Sequence, residues 1–470
     1  MIKSPTFGCL VMLLLPVTLR AAPSEDEIHM LPGLSKEPSF KQYSGYLNAT
    51  STGSKKLHYW FVEKSYSPQT HPVAVWLNGG PGCSSLFGLL SENGPFRVKG
   101  DGATLEPNPF SWNLVANMLY IESPAGVGFS YSSDQNYTTN DAMTAAENHA
   151  AMTDFFNKFP EYRDNELYIT GEGYGGIYVP MLSVLLMDDP SFNLKGYAVG
   201  NGVSSEEMLG SSIIYFAYYH GLIGSTEWTK LLALCCGGSE KQCKFVSGAQ
   251  RSSACGAEVQ KVRGIVDGGL FDTYNLYAPC AYGAASHLKA HDQMIDWAFR
   301  SLPKRSKARG HWTKRPFVKQ SCTNNTAVTT YLNSSLVRNA LHIPESVQKW
   351  VNCVDYPEGW YTSIYNDTTP FYQQLFSGGI RGILYNGDVD MASNFLGNEW
   401  FADSFGRPVK EERRVWYYKD KKGLQQVAGF VKLFDILISL TLKGSGHMVP
   451  MDKPEPALHI INNLWQLTPF

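Results

Sequence analysis

Four short stretches of this 470-residue chain hold residues that could carry out acyl-transfer chemistry. In one, an apolar, β-prone run (Leu167, Tyr168, Ile169, Thr170) meets the turn Gly171-Glu172-Gly173-Tyr174-Gly175, and an apolar stretch from Ile177 to Met187 that suits a helix comes next. Strand, tight turn and helix is the setting in which a Gly-x-Ser-x-Gly pattern exposes a nucleophilic serine. Here the serine position holds Gly173, which has no hydroxyl and cannot attack a carbonyl. Asp390 comes after the strand Gly382 to Tyr385, and His447 after the strand Ile438 to Leu442. Alone, Asp390 could be a cap and His447 a satisfied core histidine. In this order, each just past a strand, they read as a general base and acid, His447, whose tautomer Asp390 holds. The fourth stretch, Asn78-Gly79-Gly80-Pro81-Gly82-Cys83-Ser84-Ser85, comes after the apolar run Val73 to Leu77. A glycine cluster there could be a plain turn. It also lets backbone N–H groups face a site, as an oxyanion hole requires.

The elements that must position these residues alternate. Leu57 to Val62, Val73 to Leu77, Asn117 to Glu122, the run before Gly171, Tyr197 to Val199, Gly382 to Tyr385 and Ile438 to Leu442 read as strands. Asp141 to Phe159 has helical apolar spacing, and Pro454 to Leu467 suits a closing helix. Alternation implies an α/β fold, a mostly parallel central sheet flanked by helices, with ligands beyond the carboxyl ends of its strands. The order elbow, acid, histidine is that of an α/β-hydrolase. From about Ser204 to Cys322 the rhythm is lost and cysteines concentrate, which suggests an inserted, disulfide-rich cap over 204–322 between core segments 22–203 and 323–470. Within it, Lys304, Arg305, Lys307, Arg309, Lys314, Arg315 and Lys319 make a basic stretch. It reads as a solvated loop, or as a maturation site near 303–319 if proteases cut it.

Lys3, an apolar run and the small residues Ala21 and Ala22 make residues 1–21 a candidate secretory signal, cut after Ala21. No later stretch is long enough to span a membrane. Removing Cys9 with the signal leaves eight cysteines, an even number that favours disulfides outside the cytosol. Their spacing does not suit zinc, so neither metal nor cofactor is expected. Sequons at Asn48, Asn136, Asn324, Asn333 and Asn366 fit the secretory route to a lysosome or the exterior. A net charge of -2 gives no reason to expect nucleic acid as a partner.

Taken together, Asn78 to Ser85, Glu122-Ser123-Pro124-Ala125-Gly126-Val127-Gly128, the elbow, Gly387-Asp388-Val389-Asp390 and Gly446-His447-Met448-Val449-Pro450 resemble the serine carboxypeptidase family over essentially the whole mature chain. Leu31-Pro32-Gly33-Leu34, Asn201-Gly202 and Tyr215 to Leu222 are similar to a lysosomal branch of it. The resemblance implies His447 as base, Asp390 as its orienter, and the N–H groups of Gly80 and Tyr174 as the oxyanion hole. It implies that Asn78, Glu92 and Glu172 hold the terminal carboxylate of a peptide, with protons shared between the glutamates. It further implies disulfides Cys83–Cys353, Cys235–Cys255, Cys236–Cys243 and Cys280–Cys322, lysosomal glycosidases as partners, and a homodimer. Ser393 stands where the lysosomal branch usually has a cysteine, and Gly173 where the family has its nucleophile. Two readings are open: a catalytically impaired binding or protective protein, or an active acid carboxypeptidase whose native residue 173 is serine.

Overall fold

Successive residues of a strand face opposite sides of its sheet, so a run apolar at every position needs cover on both. In the computed structural model of the chain, Val73, Val75 and Leu77 lie in one hydrophobic cluster while Ala74 and Trp76 lie in a second. The same alternation separates Tyr59 and Phe61 from Trp60 and Val62. The structure describes residues 22–241, 243–267, 271–281, 293–302, 322–355, 357, 359–466 and 470. The candidate signal and the basic stretch 303–319 lie outside them.

The strands are β1 (Gln42–Asn48), β2 (Lys55–Val62), β3 (Val73–Leu77), β4 (Asn117–Ile121), β5 (Leu167–Glu172), β6 (Leu194–Gly200), β7 (Arg381–Gly387), β8 (Val409–Lys419), β9 (Gln425–Phe434) and β10 (Leu437–Leu442). They form one sheet in the order β1-β2-β4-β3-β5-β6-β7-β10-β9-β8. From β4 to β10 every neighbour is parallel, whereas both margins are antiparallel. The architecture is the mostly parallel α/β-hydrolase sheet expected. Four of its strands differ from expectation. β1, β8 and β9 carry no strand signal in the sequence, and β8 is largely exposed, with the charged run Lys410-Glu411-Glu412-Arg413-Arg414 along a sheet edge. β6 spans seven residues where only Tyr197 to Val199 looks extended.

Helices α1 (Ser85–Ser91), α2 (Asp141–Lys158) and α3 (Gly175–Asp188) come after β3, β4 and β5 in the chain. Asn140 caps α2 by accepting from Met143 N at 2.9 Å. α3 is buried at most positions and packs on β5, β6 and α2. Between β6 and β7 come α4 (Glu206–Tyr219), α5 (Ser225–Cys236), α6 (Phe245–Arg251), α7 (Ser253–Val266) and α8 (Gln293–Ala298). Cys235–Cys255 ties α5 to α7, Cys236–Cys243 ties α5 to the approach of α6, and Cys83–Cys353 and Cys280–Cys322 complete the four implied pairings. Among the described residues no helix is long and apolar enough to cross a membrane.

Candidate active site

The turn between β5 and α3 needs a residue with positive φ, and Gly173 supplies it at +60°. Its N–H donates to Gly200 O at 3.1 Å, and its carbonyl accepts from Gly176 N and Val203 N, both at 3.0 Å. These bonds pin the turn between the end of β6 and the start of α3. A Cβ built on Gly173 would lie 3.0 Å from His447 Nε2 and 3.8 Å from Met294 Sδ. The elbow position and the imidazole therefore face each other, with nothing at residue 173 for the ring to deprotonate.

His447 and Asp390 are brought together from the loops after β10 and β7. His447 Nδ1 lies 2.8 Å from Asp390 Oδ2, and both side chains are buried. Asn201 Nδ2 donates to the same oxygen at 2.7 Å, while Ala392 N and Ser393 N donate to Oδ1 at 2.9 and 3.3 Å. Those donors fix the Asp390 carboxyl group, and its contact with Nδ1 turns Nε2 toward Gly173. Tyr274 stacks on the imidazole, with ring centroids 4.3 Å apart, and its carbonyl accepts from His447 N at 2.7 Å. Ser393 Oγ donates to Gly202 O at 2.9 Å, tying the Asp390 loop to the end of β6.

The glycine loop after β3 lies against the elbow. A Cβ on Gly79 would overlap the Tyr174 backbone, so only glycine permits this approach. Neither Gly80 N nor Tyr174 N donates a hydrogen bond to a described residue. Ser84 and Ser85 are committed elsewhere: Ser84 Oγ donates to Glu122 and Ser85 Oγ to Ile121 O. Neither hydroxyl replaces the missing one.

Asn78, Glu92 and Glu172 meet beside this loop. Asn78 Nδ2 donates to Glu172 Oε1 at 2.7 Å and reaches Glu92 Oε1 at 3.5 Å, while Asn78 Oδ1 accepts from Trp76 Nε1 at 2.7 Å. The two carboxyls thus meet at one amide group. Burial pushes Glu92 up to about 7. Burial, then the charge of Glu92, holds Glu172 well above the carboxylate range. Each keeps one buried oxygen, Oε2, without a partner. A buried, protonated, underused pair is an acceptor and donor set suited to a carboxylate.

All the residues singled out in the sequence thus converge on one end of the parallel strands. Asn201, Tyr274 and Met294 join them there without a role legible in the sequence. Asn201 is visible beside two glycines and has φ +42°, a conformation asparagine tolerates. Tyr274 and Met294 come from the poorly patterned region after β6 and carry no signal.

Residues 32–466 match the Peptidase_S10 family, described as serine carboxypeptidase. The chain is 47% identical over 458 residues to the lysosomal protective protein of Mus musculus, covering 96% of this chain and 95% of that one. It is 39% identical over 453 residues to serine carboxypeptidase ctsa-4.1 of Caenorhabditis elegans, covering 94% and 93%. Its fold is similar to that of KEX1(DELTA)P, a prohormone-processing carboxypeptidase from Saccharomyces cerevisiae, with a TM-score of 0.72 at 21% identity over 94% of this chain and 96% of the other. A family match over this length, reinforced by these relatives, leaves one conclusion: the chain belongs to the serine carboxypeptidase family and is cathepsin A-like within it.

Proposed function

We propose that this chain is a carboxylate-binding member of its family, impaired in covalent catalysis, that takes the secretory route to the lysosome or the exterior after cleavage behind Ala21. The observation that carries the reading is the contrast between two halves of one site. The recess of Asn78, Glu92 and Glu172 is assembled, while the position facing His447 Nε2 is glycine. On this reading His447, Asp390 and the N–H groups of Gly80 and Tyr174 are retained catalytic apparatus without a nucleophile. The ligand class is a peptide with a free C-terminus. A protective role toward glycosidases and a homodimer extend the reading through its resemblance to the mouse lysosomal protein.

The pH dependence has a definite sign. An anion enters the recess only while the glutamate pair holds its protons, so affinity rises as pH falls through about 7. The ligand carboxylate itself stays ionised down to about pH 3.5. Titration calorimetry with an N-blocked dipeptide should show binding at pH 5 that weakens by up to about tenfold per unit above pH 7, and little binding of the C-terminal amide. Equal affinity for acid and amide, or no binding at either pH, would overturn the carboxylate reading.

A further inference from the structure

A short segment of the inserted region, Thr273 to Leu276, runs between the loops that carry Asp390 and His447. Thr273 O accepts from Met391 N at 3.0 Å and Ala392 N at 3.2 Å, and Leu276 N donates to Val389 O at 3.0 Å. Between these bonds to the Asp390 loop, Tyr274 O accepts from His447 N at 2.7 Å. The segment is therefore a strap with backbone bonds to both loops, and it lays the Tyr274 ring along the imidazole at an interplanar angle of 16°. Its approach to the histidine loop is close. A Cβ on Gly446 would lie 2.3 Å from Tyr274 O and 2.7 Å from Asn275 Cβ, so glycine is needed there.

The strap lies in neither helix nor strand, and its four residues are half-buried. It has no ladder of its own to keep it in place, so its contacts must fasten it. Asp452 supplies one. It ends the short helix Val449–Asp452, and its carboxyl folds back toward the residues before that helix. Oδ2 accepts from Gly446 N at 2.7 Å and from Asn275 Nδ2 at 3.0 Å. Gly446 precedes His447 in the chain, and Asn275 comes directly after Tyr274. One carboxyl oxygen thus joins the neighbour of the imidazole to the neighbour of the ring that covers it.

We propose that Asp452 is a positioning residue for His447: its Oδ2 latches the strap onto the histidine loop and keeps the imidazole under Tyr274. Asp390 fixes one edge of the ring, and the stacked tyrosine limits its tilt. Loss of the Asp452 carboxyl would leave Gly446 N without its acceptor and free the strap at Asn275. Both donors are neutral, so the role needs an acceptor oxygen at this place rather than a charge. It concerns the histidine loop itself and stands apart from whether the recess binds a carboxylate.

The test is the rate at which diethyl pyrocarbonate modifies His447 in the secreted full-length protein, read by peptide mass spectrometry. The reagent acylates imidazole nitrogens that reach solvent, and His447 is 6% exposed. In Asp452→Ala the rate at His447 should rise at least about tenfold, as expected for the loss of two hydrogen bonds. Asp452→Asn, which keeps an acceptor oxygen, should react like the parent. His58, fully buried in β2, should stay unmodified throughout and so reports any general loosening. Asn275→Ala removes one of the two bonds and should give a rise of about three- to fivefold, which carries the test alone if Asp452→Ala does not fold. Unchanged rates at His447 in Asp452→Ala or in Asn275→Ala would overturn the latch. So would an Asp452→Asn protein as reactive as the alanine variant, or His58 modified in step with His447.

Discussion

At residue 173, the loss of a hydroxyl coincides with relief of backbone strain. A φ of +60° is open to glycine, whereas a residue with a Cβ held there costs about 1–3 kcal/mol. Serine would also bring its Cβ to 3.0 Å from His447 Nε2, so the ring would have to withdraw by a few tenths of an ångström. The ring is held by Asp390 on one side and stacked on Tyr274, and an in-plane shift of that size breaks neither contact. Gly173→Ser should therefore fold with reduced stability and acquire carboxypeptidase activity at acidic pH. The gain over the parent should be at least about 10³-fold, since a missing triad member leaves only binding and oxyanion stabilisation. Gly173→Ala is the control: it carries the same strain and should stay inactive. An organophosphonate should label position 173 in the serine variant only. A folded, unlabelled and inactive Gly173→Ser would mean that the site has decayed beyond its nucleophile, and a labelled parent would mean that another side chain attacks.

Among the elements, the strand ends decide whether the loops can hold their shapes, and β4 shows how. Glu122, just past it, is fully buried and accepts from His58 Nδ1, Phe129 N and Trp350 Nε1, all at 2.9 Å, as well as from Ser84 Oγ. A Cβ on Gly128 would strike that carboxylate, which explains why the stretch Glu122 to Gly128 ends in glycine. One acid thus joins β2, the glycine loop and the segment around Trp350. Glu122→Ala strands His58 and three further donors, and should cost about 3–5 kcal/mol. Urea unfolding of the variant checks this, and a loss under about 1 kcal/mol, the size of one ordinary hydrogen bond, would show that the network is dispensable. None of these partnerships could be read along the chain, because His58 and Trp350 lie far from Glu122 in sequence. The parallel strands were legible for the opposite reason. Burial on both faces demands runs such as Val73 to Leu77, and each run ends in a loop at the site. β8 escaped because an edge strand can carry Lys410 to Arg414 in water, where charge guards its unpaired edge and hides its period. Asp390 and His447 were found from their order and strand-end positions, whereas Tyr274 has no motif of its own and Asn201-Gly202 gave no sign that Asn201 holds Asp390.

Over the whole molecule, the sheet joins the chain before the basic stretch 303–319 to the chain beyond it along one seam. β6 comes from the first part and β7 from the second, and they pair through five residues from Gly196–Arg381 to Gly200–Tyr385. The Asp390 and His447 loops belong to the second part, while Gly173, Asn78, Glu92 and Glu172 belong to the first. Two disulfides also cross the division, Cys83–Cys353 and Cys280–Cys322. A cut within 303–319 would therefore sever the chain without separating either the sheet or the site. Limited digestion with a trypsin-like protease should give two chains on a reducing denaturing gel and one species on a non-reducing gel. The native mass should be unchanged apart from any excised peptide, and binding of a free-acid dipeptide should survive. If the fragments parted without reductant, both disulfides crossing the cut would be absent. If only one full-length band remained while the folded protein was cut nowhere in this stretch, the basic residues would be solvated surface rather than a processing site.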